Sequence, residues 1–319
     1  MAGAVPWIKH NFVRQMARAM ADRAMVFVAE KLAEPPALGP VPGWWSGMGL
    51  TGQLDATRSL RLRLWEALAG KRIQVAWYEG LRLELVLGND LSRALYAGGT
   101  VDPNEFAFLA ALLRPGMTVI DVGANEGLYS VFASRRVGPM GQVIAIEPSL
   151  RESARIERNC ALNRINNVRI RCLALSDSER AGVLNLADPR HTGHNSLGQF
   201  LAPHIRSAGQ QPVELVRLDQ LVFQEQLASI DVVKIDVEGA ELAVLRGGEA
   251  TLRQFRPVLM LEFTEETLAD HGASTRKIVE FLEGIGYELF EFSATTGEIV
   301  PVFRTVPTSV NIVAKPREA

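Results

Sequence analysis

A glycine-bearing turn follows a short apolar segment of the chain and contains two acidic residues. The apolar segment 118–120 leads into Asp121, and Gly123 and Gly127 allow the backbone to turn tightly before a helical pattern resumes. Strand, glycine turn and helix in this order begin a doubly wound nucleotide-binding fold. A dinucleotide site needs three closely spaced glycines and backbone N–H groups that face a pyrophosphate, which Asp121 and Glu126 would repel. The turn therefore predicts an adenosine-bearing ligand without phosphates and argues against NAD.

A second acidic residue lies where such a ligand needs one. Glu147 ends the apolar run 142–146, about one strand-helix-strand unit after Asp121, and is predicted to bind ribose hydroxyls. S-adenosylmethionine has no phosphate, and its sulfonium and ammonium charges attract nearby carboxylates. The alternative is that both carboxylates only cap neighbouring helices. The pair predicts S-adenosylmethionine as the cofactor.

Three motifs resemble the FkbM-type methyltransferases over roughly residues 85 to 265 of the chain. They are the Asp-Val-Gly-Ala-Asn-Glu-Gly turn at 121–127, Glu147-Pro148, and Lys-Ile-Asp-Val-Glu-Gly-Ala-Glu at 234–241, followed by Leu-Arg-Gly-Gly at 245–248. The resemblance implies a Rossmann-like class I methyltransferase fold, an α/β architecture with a mostly parallel seven-stranded sheet and helices on both faces. It also implies methyl transfer to a hydroxyl of a small-molecule, macrolide or sugar-containing acceptor. The acceptor itself does not follow from the fold.

We assign the cofactor site to residues in and beside these motifs, because ligands bind beyond the carboxyl ends of parallel strands. The assigned residues are Asp121, Gly123, Asn125, Gly127, Ser130, Glu147, Pro148, Ser176 and Asp236.

Candidate acid–base residues are Asp236 and Glu262, which each end a predicted strand, and His194 in the polar loop 189–198. A hydroxyl is a poor nucleophile until it loses its proton, so the reaction calls for a base. Asp236 is predicted to be at the active site, and Lys234, one pleat deeper, to form an ion pair. An unperturbed histidine also accepts protons near neutral pH, so His194 and His191 are alternatives, although the resemblance favours Asn-Ser-Leu at 195–197 over the histidines.

One variant of this mechanism and two other functions stay open at this point. Mg²⁺ bound by Asp236, Glu238 and Glu262 is a possible but not favoured addition, since these carboxylates are hard oxygen ligands. N-methylation of a related acceptor would need less help from a base. A non-catalytic cofactor-binding protein of the same fold would need no base at all.

The pattern predicts an accessory segment at 1–100 and a methyltransferase domain at 101–319. The chain has 319 residues and 47% hydrophobic content, enough for one large core. In the accessory segment we predict a basic amphipathic helix within 7–33, a Pro- and Gly-rich loop at 34–52, a helix through Leu68 and a hairpin around Glu79-Gly80. The tryptophans at 44 and 45 are predicted to dock that loop on the catalytic domain.

Alternating helices and strands predict the doubly wound sheet. The predicted strands are the one ending at Asp121 and those at 142–147, 168–172, 230–236, 257–262, 287–292 and 310–313, with additions at 173–176, 182–186 and 213–217. The predicted helices of this domain are 105–113, 128–136, 150–163, 241–254 and 275–284.

Charge and composition exclude several classes of partner. The net charge is −2, and no dense Lys/Arg block interleaves with aromatic residues, so no nucleic-acid acceptor is predicted. Two cysteines form neither a disulfide framework nor a zinc pattern. No run is long and apolar enough to span a membrane, and a cytoplasmic enzyme is predicted. The helix within 7–33 is predicted to pack or to form a homodimer, with membrane association or targeting as alternatives.

Overall fold

The computed structural model describes residues 5–41, 56–200, 202–262, 264–302 and 311–318, and within the first helix the side chains from position 15 onward except position 17. The described residues form two compact units, within Met1–Pro36 plus Ser46–Val101 and within Ala37–Trp45 plus Asp102–Ala319. The predictions for Trp44 and Trp45 fall outside the described residues.

The first unit contains the helix and the hairpin that the sequence predicts. Its elements are α1 (Val5–Leu32), α2 (Ala56–Ala67), β1 (Arg72–Ala76), β2 (Arg82–Val86) and α3 (Asp90–Ser92), followed by a π-helical turn (Arg93–Gly98). The hairpin strands pair antiparallel, and Ile73, Leu83 and Leu85 are buried on one face. Met16 and Met20, on the predicted apolar face of α1, are exposed, so these two residues do not pack within the unit. None of the described helices is long and apolar enough to cross a membrane.

The second unit is built on one large sheet. Its strands are β3 (Thr118–Val122), β4 (Gln142–Ile146), β5 (Val168–Arg171), β6 (Ala174–Leu175), β7 (Arg180–Ala187), β8 (Ser207–Val216), β9 (Val232–Ile235), β10 (Val258–Glu262), β11 (Tyr287–Phe292), β12 (Ile299–Pro301) and β13 (Asn311–Pro316). The described strands of the large sheet have the order β12-β11-β13-β10-β9-β3-β4-β5, and β6, β8 and β7 form a separate three-stranded sheet. The five strands from β10 to β5 are parallel, and β13, β11 and β12 are antiparallel additions.

Helices connect the parallel strands. They are α4 (Pro103–Leu112), α5 (Leu128–Val137), α6 (Leu150–Leu162), α7 (Leu218–Gln224), α8 (Glu241–Gly247), α9 (Glu249–Phe255), α10 (Glu265–Asp270) and α11 (Thr275–Gly284). The strand order runs outward from β3 in both directions, so right-handed crossovers place helices on both faces of the sheet. The central strands are accordingly apolar on both sides, with Ile120, Ile144, Val233 and Leu259 fully buried. The α/β fold predicted from the sequence is confirmed.

Several details differ from the prediction. The additions predicted at 173–176, 182–186 and 213–217 form a separate sheet in which β6 is parallel to β8, and helices α7 and α10 were not predicted. The large sheet has an eighth strand, β12, whose three residues are too short for a sequence pattern. The single helix predicted at 241–254 is two helices, α8 and α9, that meet at Gly247 and Gly248. A side chain at Gly247 would overlap the backbone carbonyl of Ser176, so close packing against that carbonyl, rather than helix propensity, decides this break.

Candidate active site

The carboxyl ends of four neighbouring parallel strands bring the predicted acidic residues to one edge of the sheet. Asp121 lies near the end of β3, Glu147 directly follows β4, Asp236 directly follows β9, and Glu262 ends β10. Because β4, β3, β9 and β10 are adjacent in this order, the four carboxylates line a continuous edge. This is the edge at which ligands bind in doubly wound sheets.

The turn after β3 packs closely against the turn after β9. Gly123 has a φ of 77°, and a Cβ at this position would overlap the backbone oxygen of Asp236. Asn125 also has a left-handed φ of 48°, which asparagine tolerates better than most residues. The glycine is therefore required for the approach of the two turns, and it keeps the backbone at the bottom of the cleft free of side-chain atoms.

Glu147 is buried and held by backbone groups on both sides. Its Oε2 accepts a hydrogen bond from the Asn125 amide at 2.9 Å, and its Oε1 accepts one from the Ser149 amide at 2.8 Å. Burial raises the pKa of Glu147 to about 7, although the Ser149 hydrogen bond acts in the opposite direction. The carboxylate is fixed in one orientation and has lone pairs left for a ligand hydroxyl.

Lys234 forms the ion-pair network that the sequence predicts. Its Nζ lies 3.1 Å from Oδ2 of Asp236 and 3.6 Å from Oδ1 of Asp121, and it donates a 3.1 Å hydrogen bond to the Gly123 carbonyl. Burial alone would lower the pKa of this amine, but the Asp236 and Asp121 carboxylates outweigh it and raise that pKa. Lys234 is therefore charged and ties the β3 and β9 turns together.

Asp236 and Glu262 lie close together next to this ammonium, and each shifts the pKa of the other. Burial would raise the pKa of Asp236, but Lys234 and the Glu262 hydrogen bond lower it below its ordinary value. The charge of Asp236, followed by burial, raises the pKa of Glu262 well above its ordinary value. The two pKa values are therefore pushed apart, and Asp236 is the member of the pair that ionises first, because like charges this close disfavour each other.

These residues open onto a cleft of about 170 Å³. Gly123, Asn125, Glu147, Pro148 and Asp236 all line it, as predicted for cofactor-site residues. The apolar residues that line the cleft are Val122, Ile146, Ala174, Leu175, Leu184, Leu197, Val237 and Ala240. None of its described lining residues is Lys or Arg, so a diphosphate would find no cation here. Oδ1 of Asn125 is buried without a hydrogen-bond donor among the described residues, so a ligand donor would satisfy it.

Four of the predicted cofactor residues do not line the cleft. Asp121 is buried behind Gly123 and accepts a 2.6 Å hydrogen bond from Ser130. Gly127 begins α5 and packs against α6. Ser176 directs its hydroxyl toward Asp177. These residues support the turns rather than face the cleft.

Glu126 has a different role from the one that the sequence suggests. Its carboxylate is buried, forms an ion pair with Arg155 and accepts a 3.2 Å hydrogen bond from Thr192. The Arg155 guanidinium compensates this charge, so Glu126 holds α6 and the histidine loop against the turn. The argument that Glu126 repels phosphates was therefore wrong, because sequence does not reveal a partner 29 positions away.

His194 lines a second cavity, which we call the acceptor groove. This cavity has a volume of about 350 Å³, lies between residues 194–205 and the start of α10, and shares Glu238 and Glu262 with the cleft. Nδ1 of His194 is 3.5 Å from Oε1 of Glu238. His191 does not line the groove, and its ring lies 5.2 Å from that of His204.

A polar cavity behind Asp236 was not predicted from the sequence. Asp102, Glu105, Tyr129 and Asn311 line it together with Lys234, Asp236 and Glu262. Tyr129 donates a 2.8 Å hydrogen bond to Asp102, and Asn311 donates one of the same length to Glu105. Asp102 and Glu105 lie at the start of α4, Tyr129 lies in α5 and Asn311 begins β13, so distant parts of the sequence supply these groups. The sequence signal is a pair of acidic residues at the start of a mostly apolar helix.

Asp236, Glu238 and Glu262 do not form a metal-binding arrangement. No group of three or more His, Cys, Asp or Glu among the described residues is placed to hold a metal ion. Glu238 interacts with His194, while Asp236 pairs with Lys234.

Residues 121–289, more than half of the chain, match the family model described as the methyltransferase FkbM domain. The chain belongs to this family. It is thus an S-adenosylmethionine-dependent methyltransferase, as the sequence motifs predict, and the matched region begins at Asp121 and includes the strand ends that line the cleft.

Two curated methyltransferases are similar to this chain in sequence. The 2-O-methyltransferase NoeI of Sinorhizobium fredii is 27% identical over 54% of this chain and 74% of its own length. The 31-O-demethyl-FK506 methyltransferase FkbM of Streptomyces tacrolimicus is 29% identical over 55% of this chain and 74% of its own. Among solved structures, methyltransferase FkbM from Methylobacillus flagellatus KT is similar over 70% of this chain and 52% of its own, with 12% identity and a TM-score of 0.40.

Proposed function

We propose that this enzyme transfers the methyl group of S-adenosylmethionine to a hydroxyl oxygen of a small-molecule or sugar-containing acceptor. The observation that carries the proposal is that Asp236, paired with Lys234, and Glu262 occupy the ends of two neighbouring strands. Asp236 and Glu262 both line the cleft, and Glu262 also lines the acceptor groove. Because Asp236 neighbours Glu262, the Asp236 carboxylate is proposed as the base for a hydroxyl bound there.

The cleft residues suit S-adenosylmethionine. Glu147, held by two backbone amides, is proposed to accept hydrogen bonds from the ribose hydroxyls, and the apolar wall with Leu175 and Leu184 to cover the adenine. The unsatisfied Oδ1 of Asn125 and the carboxylate of Asp236 are proposed to face the cationic methionine part. Bound S-adenosylmethionine supplies a methyl group on a positively charged sulfur and leaves as S-adenosylhomocysteine after the acceptor oxygen has taken the methyl group.

Asp236 is proposed to take the proton from the acceptor hydroxyl. Lys234, 3.1 Å away, favours the ionised form of this carboxylate, and the neighbouring Glu262 carboxyl is proposed to orient it. The O–H bond of the acceptor breaks as the oxygen–methyl bond forms, so the proton needs an acceptor at that moment. His194 is the second candidate for this role, because it lines the groove and contacts Glu238.

Two facts favour oxygen over nitrogen as the methylated atom. A neutral amine needs no base to attack, whereas a hydroxyl does, and the lowered pKa of Asp236 supports an ionised carboxylate in that role. The names of NoeI and of FkbM from Streptomyces tacrolimicus both specify an oxygen position. Turnover should therefore decrease at acidic pH as Asp236 takes up a proton.

Untargeted mass spectrometry tests the proposal. Metabolite extracts and hydroxylated acceptor libraries are incubated with enzyme and S-adenosylmethionine that carries a deuterated methyl group. The expected product contains the labelled methyl as an ether, identified by fragmentation, and the Asp236→Asn variant serves as a matched control. Labelled N-methyl products, or none with any acceptor, would contradict the proposal. A parallel arm with excess chelator tests Mg²⁺, since loss of turnover that Mg²⁺ restores would show metal dependence.

A further inference from the structure

The acceptor groove has walls of two different kinds. On one side lie Phe200, Ala202 and Ile205, which are each partly buried and form an apolar face. On the opposite side lie the acidic residues of the β9 and β10 ends and of α10. Because the groove shares Glu238 and Glu262 with the cleft, a molecule bound in it would have one end beside that cleft.

The polar wall of the groove carries negative charge. Four carboxyl residues line it: Glu238, Glu262, Glu266 and Asp270. Asp236 and burial raise the pKa of Glu262, so the negative charge of the wall is assigned to the other three, Glu238, Glu266 and Asp270. None of the described lining residues is Lys or Arg, and His194 is the one titratable nitrogen among them.

These carboxylates are not neutralised by neighbouring cations in the part of the chain that the structure describes. Glu266 and Asp270 form no ion pair with a described Lys or Arg, and Asp270 accepts only the 2.9 Å hydrogen bond from the Gln199 amide. Glu238 faces His194, which is a cation only when protonated. An anionic acceptor would therefore be repelled, while an ammonium would gain charge-assisted hydrogen bonds and the aromatic face of Phe200.

We propose that the groove selects a hydroxyl acceptor that also carries a protonated amine, and that Glu238 and Glu266 determine this specificity. Phosphorylated or carboxylated acceptors are excluded. The inference rests on the proposed O-methylation, and it is consistent with that chemistry, because a protonated amine has no lone pair with which to take the methyl group. The hydroxyl near Asp236 is then the nucleophile.

Binding of simple sugar probes tests the charge preference without relying on turnover. The enzyme is saturated with S-adenosylhomocysteine, and dissociation constants for glucosamine, N-acetylglucosamine and glucose 6-phosphate are measured by saturation-transfer NMR. Glucosamine should bind at least about fivefold more tightly than N-acetylglucosamine, and its affinity should decrease as salt rises from about 50 to 500 mM. Glucose 6-phosphate should show the weakest binding of the three.

Charge-removing variants identify the residues responsible. Glu266→Gln and Glu238→Gln should each weaken glucosamine by about threefold or more and leave N-acetylglucosamine within twofold. Glu283→Gln on the exposed surface of α11 is the matched control and should change neither affinity. Equal or tighter binding of the neutral sugar, absence of glucosamine binding, or glucosamine affinity unchanged in both variants would overturn the inference. Labelled methyl ethers formed only on neutral acceptors would overturn it while leaving O-methylation in place.

Discussion

Replacing Asp236 by Asn tests the proposed base most directly. The substitution keeps the size of the side chain and a hydrogen bond to Lys234, which lies 3.1 Å away, but removes the proton-accepting charge. General-base catalysis typically contributes about 10²- to 10⁴-fold to a rate, or roughly 3 to 5 kcal/mol. S-adenosylmethionine affinity should stay within about threefold, because Glu147 and Asn125 are unchanged.

For Asp236→Asn alone we expect a decrease in kcat near the lower end of that range. The Asp236 charge is the main cause of the high pKa of Glu262. With Asn at position 236 that cause disappears, so Glu262 should ionise closer to neutral pH and accept part of the proton transfer. We expect kcat to decrease by about 10²-fold at pH 7 and by more at pH 6, with an apparent pKa that moves upward. The Asp236→Asn/Glu262→Gln double variant should lose about 10³-fold or more.

The assay is the initial rate of S-adenosylhomocysteine formation at saturating cofactor, with the acceptor identified by mass spectrometry, between pH 5.5 and 9. Glu262→Gln is the matched control, because its amide still donates a hydrogen bond to Asp236 and should cost less than about tenfold. His194→Ala, measured alongside, should also cost less than Asp236→Asn. An Asp236→Asn enzyme with kcat within threefold of the parent would refute the reasoning and leave His194, or positioning without a base, as the explanation.

Three further predictions concern the cofactor, pH and the turn after β3. Glu147→Ala should weaken the binding of S-adenosylmethionine about tenfold or more in calorimetry, since a hydrogen bond to a charged group contributes about 1.5 to 3 kcal/mol. Asp121→Ala, which acts from behind the cleft, should weaken that binding less. Unchanged affinity in Glu147→Ala would contradict the proposed cofactor site. Burial raises the pKa of Glu105 from 4.5 to about 8, so its stabilising proton is fully present below the lower value and lost as pH rises through the upper one. Glu105→Gln should therefore flatten the decrease in the free energy of unfolding between about pH 4.5 and 8, by at most about 1.4 kcal/mol per pH unit, and an unchanged slope would show that the pKa of Glu105 is not raised. Gly123→Ala should destabilise the protein by about 3 kcal/mol or more in chemical denaturation. Gly116 has a φ of 91° but no atom within 4 Å of a new Cβ, so Gly116→Ala should destabilise it by only about 1 kcal/mol. Equal losses would rule out the clash between a Cβ at position 123 and the backbone oxygen of Asp236.

Local patterns in the sequence predict most of the α/β unit. Period, apolar runs and turn residues predict the five parallel strands, and each of these signals depends only on neighbouring positions. The same patterns predict that Asp121, Glu147, Asp236 and Glu262 meet at one edge, because each follows or ends a parallel strand and the handedness of the crossovers determines the strand order. The pairing of Lys234 with Asp236 follows from their spacing of two on one strand.

Only the tertiary structure decides which of these side chains face a ligand and what state they are in. Asp121 and Glu126 occupy the same turn, yet the first is buried against Lys234 and the second is neutralised by Arg155. Asp102 and Glu105, at the start of α4, line a cavity together with Asp236. The charge of Asp236 raises the pKa of Glu262. Burial and Coulomb interactions depend on distances between residues far apart in the chain, whereas the sequence pattern indicates only the local secondary structure of each segment.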